Sequence, residues 1–348
     1  MSIEAFRERI LHGTPLCIRG GGSKAFYGGP LAGDPLEVSE YRGIVSYEPS
    51  ELVVTARAGT PLAELDRVLA ERGQWLAFEP PSFGGAATLG GALAAGLSGP
   101  GRASYGALRD FVLGAKVMDG EGRALTFGGQ VVKNVAGFDV SRLMAGSLGT
   151  LGLILEVSLK VLPLPVAQAT LRFQHPQDKA LDLLNRWAGR PLPVTATSWD
   201  DQVLTVRLAG AEAAVRSACA TLGGDRLDAA AAADHWAGLR DQGHLFFTGD
   251  APLWRISVPS TAAPLDLPGA QLIEWGGAQR WLRGIHEPAA LREKVQRAGG
   301  HATLFRGGDR TAGVFTPLPK SLAGIQRRLK DTFDPHGVFN RGRLVPDF

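Results

Sequence analysis

A glycine triplet flanked by basic residues, Arg19-Gly20-Gly21-Gly22-Ser23-Lys24, follows a short apolar run, Pro15-Leu16-Cys17-Ile18, and precedes Phe26-Tyr27-Gly28-Gly29-Pro30. The apolar run reads as a buried strand feeding a loop. Gly20-x-Gly22-x-x-Ala25 formally fits the dinucleotide pattern G-x-G-x-x-A. That pattern works only where a helix begins at the loop and its N-terminus takes part of the anion. Phe26 to Pro30 cannot start a long helix, so a Rossmann fold is rejected. A Walker A loop fails because no Gly-Lys-Ser/Thr is present. Two readings remain. One is plain turn geometry. The other is a nest of successive backbone N–H groups closing on a phosphate pair, with Arg19 and Lys24 adding charge.

A second glycine segment narrows the choice. Pro80-Pro81-Ser82-Phe83-Gly84-Gly85-Ala86-Ala87-Thr88-Leu89-Gly90-Gly91 leads into Ala92-Leu93-Ala94-Ala95-Gly96, and Tyr105-Gly106-Ala107-Leu108-Arg109-Asp110 leads into an apolar strand. A core helix of small residues accounts for Ala92 to Gly96 but not for the segments around it. Many of the 46 glycines fall before residue 152, so this half is rich in tight turns and close backbone approaches.

Hydrophobic spacing supplies the scaffold. Leu52 to Ala56 is a β-branched strand. Thr60-Pro61 reads as an N-cap with proline at the first helical position; Leu62, Leu65, Val68 and Leu69 then share a face up to Gly73. Phe111 to Met118 and Ala124 to Phe127 are strands joined by the turn Asp119-Gly120-Glu121-Gly122. Leu153, Leu155, Val157, Leu159 and Val161 alternate with Glu156, Ser158 and Lys160, until Leu162-Pro163-Leu164-Pro165 breaks the pattern. Beyond Pro165, strands are expected at 171–173, 195–199 and 203–208, and helices at 178–188, 211–222 and 229–240. This lobe reads as antiparallel strands with helices on one face. Ser321 to Phe333 reads as a basic amphipathic helix before the turn Asp334-Pro335-His336-Gly337.

Several classes are excluded. The net charge is +3 with no long basic run, which argues against nucleic acid. Two cysteines, Cys17 and Cys219, cannot hold an iron–sulfur cluster and suit a reducing compartment. The charged start, Met1 to Arg9, does not have the form of a signal peptide, and no long uncharged apolar stretch suggests a membrane helix. The chain is therefore expected in the cytoplasm. The histidines at 12, 175, 235, 244, 286, 301 and 336 never cluster, so no metal is expected.

The glycine segments form part of a longer series. It runs Arg-Gly-Gly-Gly-Ser-Lys (19–24), Thr-Leu-Gly-Gly (88–91), Tyr-Gly-Ala-Leu-Arg-Asp-Phe-Val-Leu-Gly (105–114), Val-Lys-Asn-Val-Ala-Gly-Phe-Asp (132–139), Gly-Ser-Leu-Gly-Thr-Leu-Gly (146–152) and Phe-Asp-Pro-His-Gly-Val-Phe-Asn (333–340). With these motifs in this order, the chain resembles the vanillyl-alcohol oxidase and p-cresol methylhydroxylase (PCMH) flavoprotein superfamily. Within it, the chain is similar to the FAD-binding E subunits of bacterial glycolate oxidases. The resemblance implies an α+β architecture. A PCMH-type FAD-binding domain of two α/β sub-lobes would occupy 1–165, and a C-terminal α+β cap with an antiparallel sheet 166–348.

By the same resemblance, Arg19, Gly20, Gly21, Gly22, Ser23 and Lys24 take the FAD pyrophosphate. Pro81, Thr88, Gly90 and Gly91 line its flavin side. Gly152 and Ile154 meet the adenosine end, with Gly99, Tyr105 and Gly106 nearby. Relatives that bind FAD covalently use a histidine in the first loop. Ser23 stands there in this chain, so the flavin is expected to be non-covalent.

Oxidising a 2-hydroxy acid on flavin needs a cation for the carboxylate and a base for the hydroxyl proton. The metal-binding signature of catalytic relatives, His-x-Gly-Asp-Gly-Asn-x-His, is missing, and His301 has no partner histidine nearby. Lys133 and Asn134 are catalytic candidates near the flavin ring, set against an ordinary polar turn. Arg306 and Arg310 are candidate carboxylate holders, set against solvated surface arginine. The resemblance thus implies the FAD subunit of a complex converting glycolate to glyoxylate. A catalytic flavoprotein sister and an iron–sulfur subunit would complete it, with membrane contact only through the complex. Two alternatives stay open: a stand-alone FAD-dependent 2-hydroxy-acid dehydrogenase, and a flavin-binding scaffold without a redox role.

Overall fold

The computed structural model describes residues 2–129 and 139–346, which form two compact units. The first gathers Met1–Leu97, Ala107–Pro163 and Pro317–Phe348; the second gathers Ser98–Gly106 and Leu164–Thr316. The expected division at 165 lies beside the break at Pro163. Two segments depart from it for identifiable reasons. The tail returns to the first unit because the Leu16 N–H donates to the Val338 carbonyl at 2.7 Å and Phe339 bridges Leu16 in parallel. Ser98–Gly106 joins the second unit, where Trp275 Nε1 donates to the Gly99 carbonyl at 3.0 Å.

The first unit is built on a five-stranded antiparallel sheet. Its spatial order is Ile44–Glu48, Val53–Arg57, Leu153–Lys160, Val112–Met118, Ala124–Gly128. Leu153, Leu155, Val157 and Leu159 are buried as the alternation requires. The polar row of the same strand is covered too: Ser158 Oγ and Thr55 Oγ1 are 2.8 Å apart, and Tyr41 Oη donates to Glu156 at 3.2 Å. At the hairpin, the buried Asp119 carboxylate accepts from the Glu121 and Arg123 N–H groups and from Arg123 Nε. A short parallel pair, Leu16–Arg19 with Asp34–Glu37, stands beside this sheet in the chain order and carries the glycine triplet at its end.

Two local expectations shift. The helix Leu62–Ala70 starts after Pro61, which sits at the cap position, while Thr60 spends its hydroxyl on the Gly43 backbone. Phe111 closes a helical turn, Leu108–Phe111, because Asp110 accepts from the Ala107 N–H at 2.8 Å; the strand begins at Val112.

The second unit holds an eight-stranded antiparallel sheet, with Ala167–Gln174, Val203–Gly210 and Val194–Asp200 on one side and Gln271–Glu274, Gln279–Arg283, Leu253–Ser257 and His301–Arg306 on the other. One face is apolar. Leu171, Leu204, Val206 and Trp199 pack under helices Gln177–Ala188 and Glu212–Leu222, and Trp254, Ile256 and Leu304 pack under Pro288–Arg297. The opposite face is polar. Helices were expected on one face only, but Ala229–Asp241 covers part of the polar one: Trp236 Nε1 donates to Thr170 Oγ1 and His235 Nε2 lies 2.9 Å from Ser198 Oγ. Polar side chains on these strands gave that helix hydrogen-bonding partners. No described helix is long and apolar enough to cross a membrane.

Candidate cofactor cleft

The two glycine segments meet in the first unit. A Cβ on Gly21 would overlap the Ala86 carbonyl, and one on Gly20 would collide with Thr88 Oγ1. Only glycine lets the loops close this far. Gly22 then turns with φ +73°, a left-handed conformation that favours glycine. Thr88 begins the helix Leu89–Ala95; its Oγ1 accepts from the Gly91 N–H, and Gly90 lies against Ala58.

These elements line one cleft with Arg19 to Ala25, Thr88, Gly90, Gly91, Gly152 and Ile154. Ala58, Ala94, Ala95, Leu148 and Leu153 form its apolar wall, and Asn340 and Arg343 come from the tail. Among the described residues, the lining carries Arg19, Lys24 and Arg343 and no carboxylate. Arg19 shares its charge with Glu37, its strand partner, at 3.7 Å. Lys24 Nζ donates to Ser23 Oγ at 3.3 Å and stands 5.5 Å from the Phe83 ring centre.

The tail holds the cleft in shape. Asn340 Oδ1 accepts from the Ile18 N–H at 2.7 Å, and Asn340 Nδ2 donates to the Leu148 carbonyl at 2.6 Å. One side chain thus ties the strand before the glycine triplet to the 146–152 turn. The Arg343 guanidinium donates to the carbonyls of Ala25, Tyr27 and Gly29. It therefore fixes the run after the triplet in a non-helical path.

Of the site residues read from the sequence, Arg19 to Lys24, Thr88, Gly90, Gly91, Gly152 and Ile154 come together in the cleft. Pro81 is buried but outside its lining. Gly99, Tyr105 and Gly106 belong to the second unit. Lys133 and Asn134 lie outside the described residues. Arg306 donates to the Phe247 carbonyl at 2.9 Å, so it secures a turn. The sequence motifs assign no role to Asn340, which closes the 333–340 series, or to Arg343, which belongs to none of them. Among the described residues no three metal-ligating side chains gather.

Backbone N–H groups beside glycine, basic side chains and an apolar wall fit a ligand with paired phosphates and a flat apolar ring. The comparisons agree. An FAD binding domain family matches residues 3–128. Glycolate oxidase subunit GlcE of Escherichia coli is 46% identical over 345 residues, spanning 99% of this chain and 97% of that one. Glycolate oxidase subunit GlcD of Bacillus subtilis is 28% identical over 199 residues, spanning 56% of this chain and 42% of that one. Among solved structures, alkyldihydroxyacetonephosphate synthase superposes with a TM-score of 0.68 at 15% identity, covering 97% of this chain and 74% of that chain, which shows a shared fold.

Proposed function

The chain belongs to the GlcE family of glycolate oxidase subunits, and on that footing we propose that it is the FAD-binding subunit of a multi-subunit complex oxidising glycolate to glyoxylate. The observation that carries this reading is the cleft itself, where two interlocked glycine loops offer N–H groups beside Arg19, Lys24 and Arg343. Bound FAD supplies the capacity to accept electrons from a 2-hydroxy acid and release them to another carrier. Gly20, Gly21 and Gly22 present backbone donors to the pyrophosphate. Lys24 and Arg343 balance its charge, while Ala94, Ala95 and Ile154 keep water from the apolar part. Attachment is non-covalent in this reading: Ser23 stands in the first loop, and among the described residues no histidine, cysteine or tyrosine lines the cleft. Acid precipitation of the holoprotein should leave all the flavin in the supernatant; flavin retained in the pellet sinks that claim.

In this reading a catalytic flavoprotein sister oxidises glycolate and an iron–sulfur subunit receives the electrons. The complex works in the cytoplasm and meets a membrane only through those partners. Anaerobic titration of the purified FAD-loaded chain with glycolate tests the division of labour. An unbleached flavin, with co-purification of an iron–sulfur partner from cells, is the expected result. Bleaching of the isolated chain would instead favour a stand-alone dehydrogenase.

A further inference from the structure

The polar face of the second unit's sheet holds one arginine whose hydrogen-bonding capacity is barely used. Among the described residues, Arg255, half-buried on strand Leu253–Ser257, makes a single side-chain hydrogen bond, from Nε to Gln279 Oε1 at 2.7 Å, and no ion pair. The bond is fixed from behind. Gln279 Nε2 donates to Glu274 Oε2 at 3.0 Å, and Trp281 Nε1 donates to the same oxygen at 2.6 Å. Glu274, Gln279 and Trp281 are all buried. The relay grips the guanidinium by its Nε and leaves its outer N–H groups unbonded among the described residues.

A second, independent feature lies beside it. Trp275 adopts φ +55°, which costs a bulky residue strain, and Gly276 and Gly277 follow with positive φ. Two hydrogen bonds hold the turn: Trp275 Nε1 to the Gly99 carbonyl and the Gly276 N–H to Thr197 Oγ1. The indole so placed lies under two guanidinium groups, Arg255 at 5.3 Å and Arg102 at 4.5 Å from its ring centre. Strand register puts Ser257, the cross-strand partner of His301, on the same face as Arg255. Desolvation and the Arg255 charge hold the His301 imidazole below its ordinary pKa.

We infer that Arg255, braced by Gln279 and stacked on Trp275, is the anchor of a binding site for a small carboxylate carrying a neighbouring hydroxyl or oxo group. The outer guanidinium N–H groups match a carboxylate in paired fashion. Ser257 and His301 offer donors and acceptors for the adjacent oxygen. The inference does not depend on the flavin, because every group named lies in the second unit.

Calorimetric titration of the FAD-loaded full chain, under anaerobic conditions, tests it with glycolate, its uncharged amide and inorganic phosphate. Saturable binding of glycolate alone is expected, weakened by at least about tenfold in Arg255→Gln with unchanged flavin content and melting temperature. Arg255→Lys keeps charge and stem but loses the fork, and should bind several-fold more weakly than wild type; it decides the matter if Arg255→Gln folds poorly. No glycolate binding, equal binding by the variants, or phosphate binding as tightly as glycolate would overturn the site. Flavin content is read separately, so failure here is distinct from failure of the cofactor reading.

Discussion

Lys330 Nζ lies 2.6 Å from the Asp334 carboxylate with both side chains buried. Its other donors reach the carbonyls of Thr150 at 2.8 Å and Phe339 at 3.0 Å. Asp334 in turn accepts from the Val338 and Phe339 N–H groups. Burial pulls the lysine pKa below its ordinary value and Asp334 opposes that pull. The pair thus folds the tail into the turn that delivers Asn340 to the cleft.

Replacing Lys330 with methionine strands the Asp334 charge in the interior. The expected loss is about 3–5 kcal/mol of stability. Denaturant unfolding of the chain should show a lower midpoint with an unchanged slope.

Gly21→Ala forces a Cβ into the Ala86 carbonyl, so the two glycine loops must part. Flavin content, read from visible absorbance per chain, should fall sharply. The far-ultraviolet circular dichroism should persist, because the sheet lies elsewhere. Normal flavin content would remove the close approach of the loops from the account of the cleft.

Arg343→Lys supplies one compact ammonium where a planar guanidinium spans three carbonyls. It should weaken FAD binding by about tenfold or more, and Arg343→Ala further. A fluorescence titration of apoprotein with FAD measures both; full recovery by lysine would mean that charge alone matters at this position.

Burial pushes His235 down to about 4 from 6.5, with His244 and Arg172 reinforcing the effect. Above pH 6.5 neither the folded nor the unfolded chain protonates it. As pH falls from 6.5 towards 4, only the unfolded chain takes up the proton, so stability declines; below about 4 the decline levels off. The full effect is on the order of 3 kcal/mol. Unfolding free energy followed across that window should fall in wild type and flatten in His235→Gln.

Legibility followed the physics of each segment. The strand Leu153–Lys160 was readable because its two rows differ in polarity. The loop after the triplet was readable as non-helical because Gly28, Gly29 and Pro30 forbid a helix. The strands between 253 and 306 were not readable. Arg280 is buried on the apolar face, bonded to the Ala262 and Ala263 carbonyls, while Gln279 and Trp281 are buried on the polar one. With polar residues buried on both faces, no period-two pattern survives. The role of the tail was hidden because its partners lie at the far end of the chain.

That last separation has a consequence for biosynthesis. Arg343 and Ala25 stand 318 residues apart, yet they meet at the same cleft. Contacts of such long range form slowly and late. A growing chain emerging from the ribosome carries the glycine triplet early, but must wait 318 residues past Ala25, for Arg343, before the run after the triplet can set. Setting of the cleft therefore follows synthesis of Arg343, and until then the glycine loop lacks the guanidinium that fixes the run after it.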